Sequence, residues 1–107
     1  MSGAIKKLTK DNFSQETKKG VVLVDFHADW CGPCRMLAPV LEKVAKELHG
    51  NSSIGKLDID EAQDIAGQYE VTSVPTLILF KEGKEVGRLV GLRDAESIKE
   101  FMTSAHV

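Results

Sequence analysis

The stretch VVLVDFHADWCGPC, residues 21–34, joins a strand pattern to the start of a helix pattern and decides the fold. Residues 21–27 are mostly apolar and β-branched, which is typical of a strand buried on both faces. Cys31 and Cys34 then lead into residues 36–48, whose apolar side chains recur on one helical stripe. A buried strand that runs directly into an amphipathic helix predicts a layered α/β domain.

The rest of the chain alternates between strand and helix patterns. Further strands are predicted at residues 4–8, 54–59, 76–81 and 86–91. Further helices are predicted at residues 11–18, at residues 61–69 and from Asp94 onward. We expect Asp60 and Asp94 to cap the last two helices and Glu82-Gly83 to form a turn between strands. The order β-α-β-α-β-α-β-β-α predicts one three-layer α/β domain over residues 1–107 with a mixed sheet.

The composition excludes several classes of protein. The 107 residues carry 14 Lys and Arg against 16 Asp and Glu, a formal net charge of −2, and no basic run. Nucleic-acid binding is not expected, because it needs a positive electrostatic footprint. The longest apolar runs are strand-sized pieces such as residues 77–80, so no membrane span is expected. Residues 1–7 lack the apolar segment of a secretory signal, and we therefore expect a cytoplasmic protein.

The chemistry is expected at the two cysteines, Cys31 and Cys34. A bridge across two residues would stabilise the fold by about 2 kcal/mol, so a purely structural disulfide is a poor explanation. The helix dipole favours a thiolate at Cys31 by about 0.3–1 kcal/mol, or ~2 when partly buried. One pKa unit is about 1.4 kcal/mol, so the dipole alone lowers the pKa of the thiol by about one unit. Cys34 lies one turn further on the same side, and we expect it to be the more buried, resolving thiol.

Three short motifs resemble the thioredoxin family. WCGPC at residues 30–34 follows VDF at residues 24–26, and VPT at residues 74–76 precedes a strand. The resemblance extends from about Ile5 to Met102. It implies the thioredoxin fold, a five-stranded mixed β-sheet flanked by four α-helices. It also implies a monomeric protein-disulfide reductase that needs no metal or cofactor. Its partners would be a thioredoxin reductase, which recharges it, and many disulfide-containing target proteins.

The resemblance assigns roles to residues around the cysteines. Asp25 would be the buried proton acceptor for Cys34, through a water molecule, and desolvation would raise the pKa of its carboxyl. Lys56 would temper that carboxylate with its ammonium group. Without the resemblance, Asp25 is a strand-end carboxylate in water and Lys56 an exposed strand lysine. Gly32 and Pro33, between the cysteines, would tune the redox potential.

A substrate groove is also implied by the resemblance. Pro75 would be cis and packed against the sulfurs, and Val74 would offer backbone hydrogen bonds to an extended substrate. Gly91 would be a small residue at the rim, and Trp30 an exposed apolar contact for partner proteins. Without the resemblance, Pro75 is a strand-initiating trans proline, because only about 5–6% of X–Pro bonds are cis. Gly91 is then an ordinary strand-end turn.

One position departs from the family pattern. His27 stands where many members of the family carry a second tryptophan. A histidine at the end of a strand is most often structural. Because its ordinary pKa lies near neutrality, His27 would also add a pH-dependent charge near the site, with a modest effect on Cys31 reactivity.

Other functions compete with disulfide reduction. A zinc site would combine the cysteine pair with His27, His49 or His106, but no His-x₃₋₅-His pair is present and we expect no metal. A non-catalytic adaptor would use the fold for docking only. A disulfide oxidant or isomerase shares the Cys-x-x-Cys frame, although Gly32-Pro33 and the absence of a signal peptide favour a cytosolic reductant.

Overall fold

The computed structural model describes residues 5–105, and the predicted order of elements is confirmed. The strands are β1 Lys6–Leu8, β2 Val21–His27, β3 Ser52–Asp58, β4 Thr76–Lys81 and β5 Lys84–Val90. The helices are α1 Phe13–Thr17, α2 Gly32–Lys46, α3 Gln63–Gln68 and α4 Ala95–Ser104. Strands β3 and β5 begin two residues earlier than expected. Ala4, at the expected start of the first strand, lies outside the described residues.

The five strands form one mixed sheet in the order β1-β3-β2-β4-β5. Strands β1 and β2 run parallel to β3, whereas β4 is antiparallel to both β2 and β5. The central strand β2 therefore ends at the same edge of the sheet as β3, where the polypeptide leaves for α2 and α3. Within residues 5–105, no helix is both long and apolar enough to cross a lipid bilayer.

Both faces of the sheet are covered, as the apolar sequence of β2 predicts. Alternate side chains of a strand point to opposite faces. Val21 and Leu23 pack in the cluster formed with α2 and α4, and Val22, Val24 and Phe26 pack in the cluster formed with α1 and α3. This alternation puts Asp25 on the face of the sheet that α2 and α4 cover. The three-layer arrangement is confirmed.

The turn between β4 and β5 is the expected two-residue hairpin. Glu82 and Gly83 both have positive φ, 51° and 86°, as a type I′ turn requires. Two hydrogen bonds join this turn to the start of β2. The Gly20 N–H donates to Glu82 Oε2 at 2.6 Å, and the Glu82 N–H donates to the Gly20 carbonyl at 2.9 Å. The side chain of Glu82 thus supports its own left-handed conformation through a long-range contact.

The two predicted helix caps have different outcomes. Asp94 caps α4, because its Oδ1 accepts a hydrogen bond from the Ser97 N–H at 2.9 Å. The expectation for Asp60 is wrong: α3 begins after Ala62, which makes no side-chain cap hydrogen bond. Asp60 Oδ2 instead accepts from Trp30 Nε1 at 3.0 Å. The Asp60 carboxylate therefore forms a hydrogen bond with a residue thirty positions away in the chain and does not cap the helix next to it in sequence.

Two glycines are expected to respond in opposite ways to substitution by alanine. A Cβ at Gly55 would lie 2.7 Å from Leu8 Cδ1 and 2.8 Å from Leu8 Cγ, and Leu8 is buried. Gly55→Ala should therefore lower the free energy of unfolding by about 1–3 kcal/mol. A Cβ at Gly67, within α3, meets nothing within 4 Å, so Gly67→Ala should raise it by about 0.5–1 kcal/mol. Urea denaturation of both variants measures these free energies of unfolding. An unchanged value for Gly55→Ala would show that Leu8 repacks to accommodate the new methyl group.

Candidate active site

Cys31 is the N-cap residue of α2, with the extended backbone (φ −94°, ψ 111°) that this position favours. Its Sγ accepts a hydrogen bond from the Cys34 N–H at 3.2 Å, and its carbonyl accepts from the Arg35 N–H at 3.3 Å. Pro33 occupies the first turn, where a backbone N–H has no acceptor within the helix, so the N–H that proline lacks costs no hydrogen bond. The Cys31 sulfur therefore sits against the unpaired donors and positive end of a fifteen-residue helix, which favours a thiolate.

The two sulfurs are joined in a disulfide, with the Cα atoms of Cys31 and Cys34 5.3 Å apart. Both residues are buried, Cys31 at 4% and Cys34 at 6% exposure. The two cysteines are thus buried to nearly the same extent in the disulfide form, and the expected greater burial of Cys34 is not seen. The reason is that Cys31 shares one small apolar cluster with Cys34, against which Ile59 and Val74 pack.

The loop before β4 lies against the disulfide. The Val74–Pro75 bond is cis, as the family resemblance implies. Cys31 Sγ is 3.6 Å from the Val74 carbonyl oxygen, a contact that becomes a possible S–H hydrogen bond only in the dithiol form. Gly91, with φ 97°, follows β5 and donates its N–H to the Pro75 carbonyl at 2.8 Å. The structure thus places Val74 against Cys31 and joins Gly91 to Pro75, the next residue along; the packing of Pro75 on the sulfurs and the substrate contacts of all three stay predictions.

An exposed apolar rim accompanies this cluster. Trp30 is 66% exposed and Met36 61% exposed, on either side of the two cysteines in sequence. The hydrogen bond from Trp30 to Asp60 orients the indole ring. Arg35 donates from Nη1 to the Asp29 carbonyl at 2.7 Å, which ties the first turn of α2 to the preceding loop. Sequence reasoning missed both Met36 and Asp60 here, because it placed Met36 on the apolar stripe of the helix and Asp60 at a helix cap.

Asp25 lies in the middle of β2 and is only 1% exposed, so its interpretation as a carboxylate in water is wrong. Neither of its oxygens accepts a hydrogen bond from any residue between 5 and 105. Burial raises the pKa of this carboxyl from its usual 3.8 to about 7, against the opposing effect of the Lys56 ammonium. Lys56 is the residue paired with Asp25 across β2 and β3. The direction predicted for Asp25 is confirmed, and its catalytic role stays a prediction.

His27 ends β2 and is half-buried. Burial and the nearby Lys56 ammonium lower its pKa below the usual 6.5, although Asp58 and Asp29 act in the opposite direction. The side chain is therefore mostly neutral at pH 7. His27 therefore gains its charge at a more acidic pH than the sequence predicts, which weakens its predicted effect on Cys31 near neutral pH.

The comparisons with known proteins agree with this geometry. The thioredoxin family model matches residues 4–104. The chain is 54% identical over 100 residues to a thioredoxin of Chlamydia pneumoniae, covering 94% of this chain and 93% of that protein. It is 48% identical over 99 residues to a thioredoxin of Staphylococcus haemolyticus, covering 92% and 95%. Among solved structures, a mutant thioredoxin from Halobacterium salinarum NRC-1 superposes with a TM-score of 0.87 at 39% identity, covering 96% of this chain and 91% of that one.

These similarities decide between the functions that the sequence left open. Relatives named thioredoxin match nearly the whole chain, and Cys31 and Cys34 are within bonding distance of each other. The pair is thus a redox-active disulfide, and the protein is a protein-disulfide oxidoreductase that works by dithiol–disulfide exchange. The chain belongs to the thioredoxin family.

Proposed function

We propose that the protein is a general reductant of protein disulfides in the cytoplasm, with Cys31 as the attacking nucleophile and Cys34 as the resolving thiol. The observation that carries this assignment is the position of Cys31 at the N-cap of α2, where the Cys34 N–H already donates to its sulfur. The same donor and the helix dipole stabilise a thiolate at Cys31 after reduction. Cys34, one turn inside the helix, lacks that end position.

In the first step, the Cys31 thiolate attacks one sulfur of a target disulfide. A bond forms between Cys31 Sγ and that sulfur, and the other target sulfur leaves as a thiolate. In the second step, the Cys34 thiolate attacks Cys31 Sγ and the second target sulfur leaves. Two electrons pass to the target, and the protein ends in the disulfide form that the structure describes.

Asp25 is proposed to accept the proton of Cys34 before the second step. Its position on the α2 face of the sheet and its unpartnered oxygens support this role. Since its pKa is raised to about 7, both protonation states are populated near neutral pH. A base with such a pKa can take up a proton and release it again within one cycle. Lys56, the neighbour of Asp25 across the strands, limits how far that pKa rises.

The rim around the sulfurs is proposed to receive the partners. Trp30 offers an exposed apolar ring, and the backbone of Val74 offers a carbonyl next to Cys31. Pro75 and Gly91 leave room for an extended target segment, and Gly32 and Pro33 set the redox potential. The partners would be disulfide-containing proteins and, for recharging, a thioredoxin reductase. The cytoplasm is the proposed location, because a thiol-reducing compartment keeps the Cys31–Cys34 pair in the dithiol form that a reductant needs.

A redox titration tests the proposed direction of the reaction. The protein is equilibrated in glutathione and dithiothreitol buffers, while the fluorescence of Trp30, its single tryptophan, and the thiol content are followed together. We expect one two-electron transition with a midpoint below the cytosolic glutathione poise of about −220 to −260 mV. A midpoint above that range would contradict the reductant and favour an oxidant or isomerase. A protein without any reversible transition would not be an exchange catalyst.

A further inference from the structure

A second group of polar side chains lies beside the active site, at the edge of the sheet where β2 and β3 end. His27 and Asp58 are the last residues of these strands and are paired across them. Asp29 follows His27 by two positions, in the loop that leads to Cys31. One nitrogen or oxygen atom from each of the three side chains lies within 4.8 Å of the other two. Among residues 5–105, no other group of three His, Cys, Asp or Glu side chains is arranged in this way.

The three side chains form a donor set that suits a metal ion of borderline softness. An imidazole and two carboxylates are common ligands of Zn²⁺, which binds three protein groups and a water in its open sites. Zinc–ligand bonds of about 2.0–2.2 Å put neighbouring ligands about 3.4 Å apart in a tetrahedral site. Since no two of the three donor atoms are more than 4.8 Å apart, each separation would have to shorten by at most about 1.4 Å, which side-chain rotations can supply.

The surroundings of the three residues favour a site of moderate affinity. They line a cavity of about 350 Å³ together with Glu61, which adds a third carboxylate. The Asp60 N–H donates to Asp58 Oδ1 at 2.8 Å and fixes the orientation of that carboxylate, as outer hydrogen bonds do for metal ligands. Three lysines line the same cavity and oppose a cation: Lys6, Lys7 and Lys56. Of these, only Lys6 has a carboxylate partner outside the cavity, Glu16 at 2.9 Å, whereas Lys7 lies 3.9 Å from Glu61 itself; Lys7 and Lys56 therefore limit the affinity for a cation.

We propose that His27, Asp29 and Asp58 bind one divalent cation of the Zn²⁺ class, with water completing its coordination. Neither Cys31 nor Cys34 takes part, so the site exists in the disulfide form of the protein. A cation held there links the loop that leads to the cysteines to the end of β3. Because it binds only the folded arrangement of three separated side chains, it also stabilises the folded protein.

The test is a calorimetric titration of the full-length disulfide form with Zn²⁺ alone, so that no thiol can bind the metal. We expect one Zn²⁺ per chain. His27→Gln and Asp58→Asn should each weaken binding about tenfold or more, because each removes a direct ligand. His49→Gln is the matched control: His49 is exposed in the loop between α2 and β3, outside the cluster, and its loss should leave the affinity unchanged.

Three results would overturn the site: no binding to the disulfide form, unchanged affinity in His27→Gln, or a loss in the His49→Gln control. NMR spectroscopy of the unchanged protein provides a second test of the proposed metal site. Zn²⁺ should shift the imidazole resonances of His27 in the NMR spectrum and leave those of His49 unaffected, and the reverse would contradict the proposal. The redox titration above, repeated with a chelator present, separates this site from the proposed function, because the cysteine chemistry should persist without metal.

Discussion

Replacing Cys34 by serine is expected to convert the protein from a turnover catalyst into a covalent trap. Cys31 keeps its place at the N-cap of α2, so it still attacks a target disulfide and forms the mixed disulfide. The serine hydroxyl cannot attack Cys31 Sγ in the second step, and the target is not released. Catalytic reduction of a protein disulfide should therefore fall to the level of the reaction without the protein. Stable adducts should accumulate, one target per chain.

The matched control is Cys31→Ser, which keeps one thiol at the other position of the pair. It should also lose turnover. It should trap few or no targets, because Cys34 does not lie at the N-cap, where the helix end stabilises a thiolate. Non-reducing electrophoresis with mass spectrometry of the adducts, before and after dithiothreitol, distinguishes the two variants. If Cys31→Ser trapped targets and Cys34→Ser did not, the roles of the two cysteines would have to be exchanged.

The parts of the fold and site that the sequence predicts well depend on neighbours in the chain. The strand over residues 21–27 and the helix that follows are adjacent, so their junction places Cys31 at a helix N-terminus without any knowledge of tertiary contacts. The Glu82-Gly83 hairpin and the Asp94 cap are likewise short-range features. The cis bond at Pro75 is different, because it was expected from the family resemblance and not from local preference.

The parts that could not be predicted depend on which residues the sheet register brings together. Asp60 was expected to cap a helix, but its carboxylate binds the indole N–H of Trp30 across the site. Cys31 was expected to be the more exposed cysteine, but it lies against Val74 from a loop more than forty residues away. The pairing of His27 with Asp58 follows from the alignment of β2 with β3, which the spacing of apolar residues within either strand does not determine.

Asp25→Asn is expected to stabilise the folded protein at neutral and alkaline pH. In the unfolded chain the Asp25 carboxyl ionises around its usual pKa of 3.8, whereas in the folded disulfide form its pKa is about 7. Between these values the folded protein binds the extra proton, so its stability falls as the pH rises, and the loss is complete above pH 7. A shift of this size corresponds to about 4 kcal/mol. Asparagine cannot ionise, so the variant does not lose this stability.

Denaturant unfolding of the disulfide form at several pH values measures this effect as the difference between variant and unchanged protein. The difference should be smallest near pH 4 and grow by up to about 4 kcal/mol by pH 8. Asp64→Asn, which removes an exposed carboxylate from the first turn of α3, controls for the loss of a negative charge alone. A difference that did not change with pH would show that Asp25 is not held protonated by its burial.

The same substitution should slow catalysis while it stabilises the fold, which separates a proton acceptor from a residue that serves only the structure. Without the carboxylate, release of the mixed disulfide should slow by about 10²-fold near pH 7, the usual contribution of a general base. The slowing should diminish as the pH approaches ~8.5, where a free thiol ionises without a base. Formation of the mixed disulfide by Cys31 should change much less, since its thiolate is stabilised by the helix end. If both steps slowed equally at every pH, Asp25 would act on the shape of the site and not on the proton of Cys34. Burial of the Asp25 carboxyl costs stability, but it also raises the pKa to about 7. A group with that pKa can accept the Cys34 proton and release it again near neutral pH, so the same burial that destabilises the fold serves the second step.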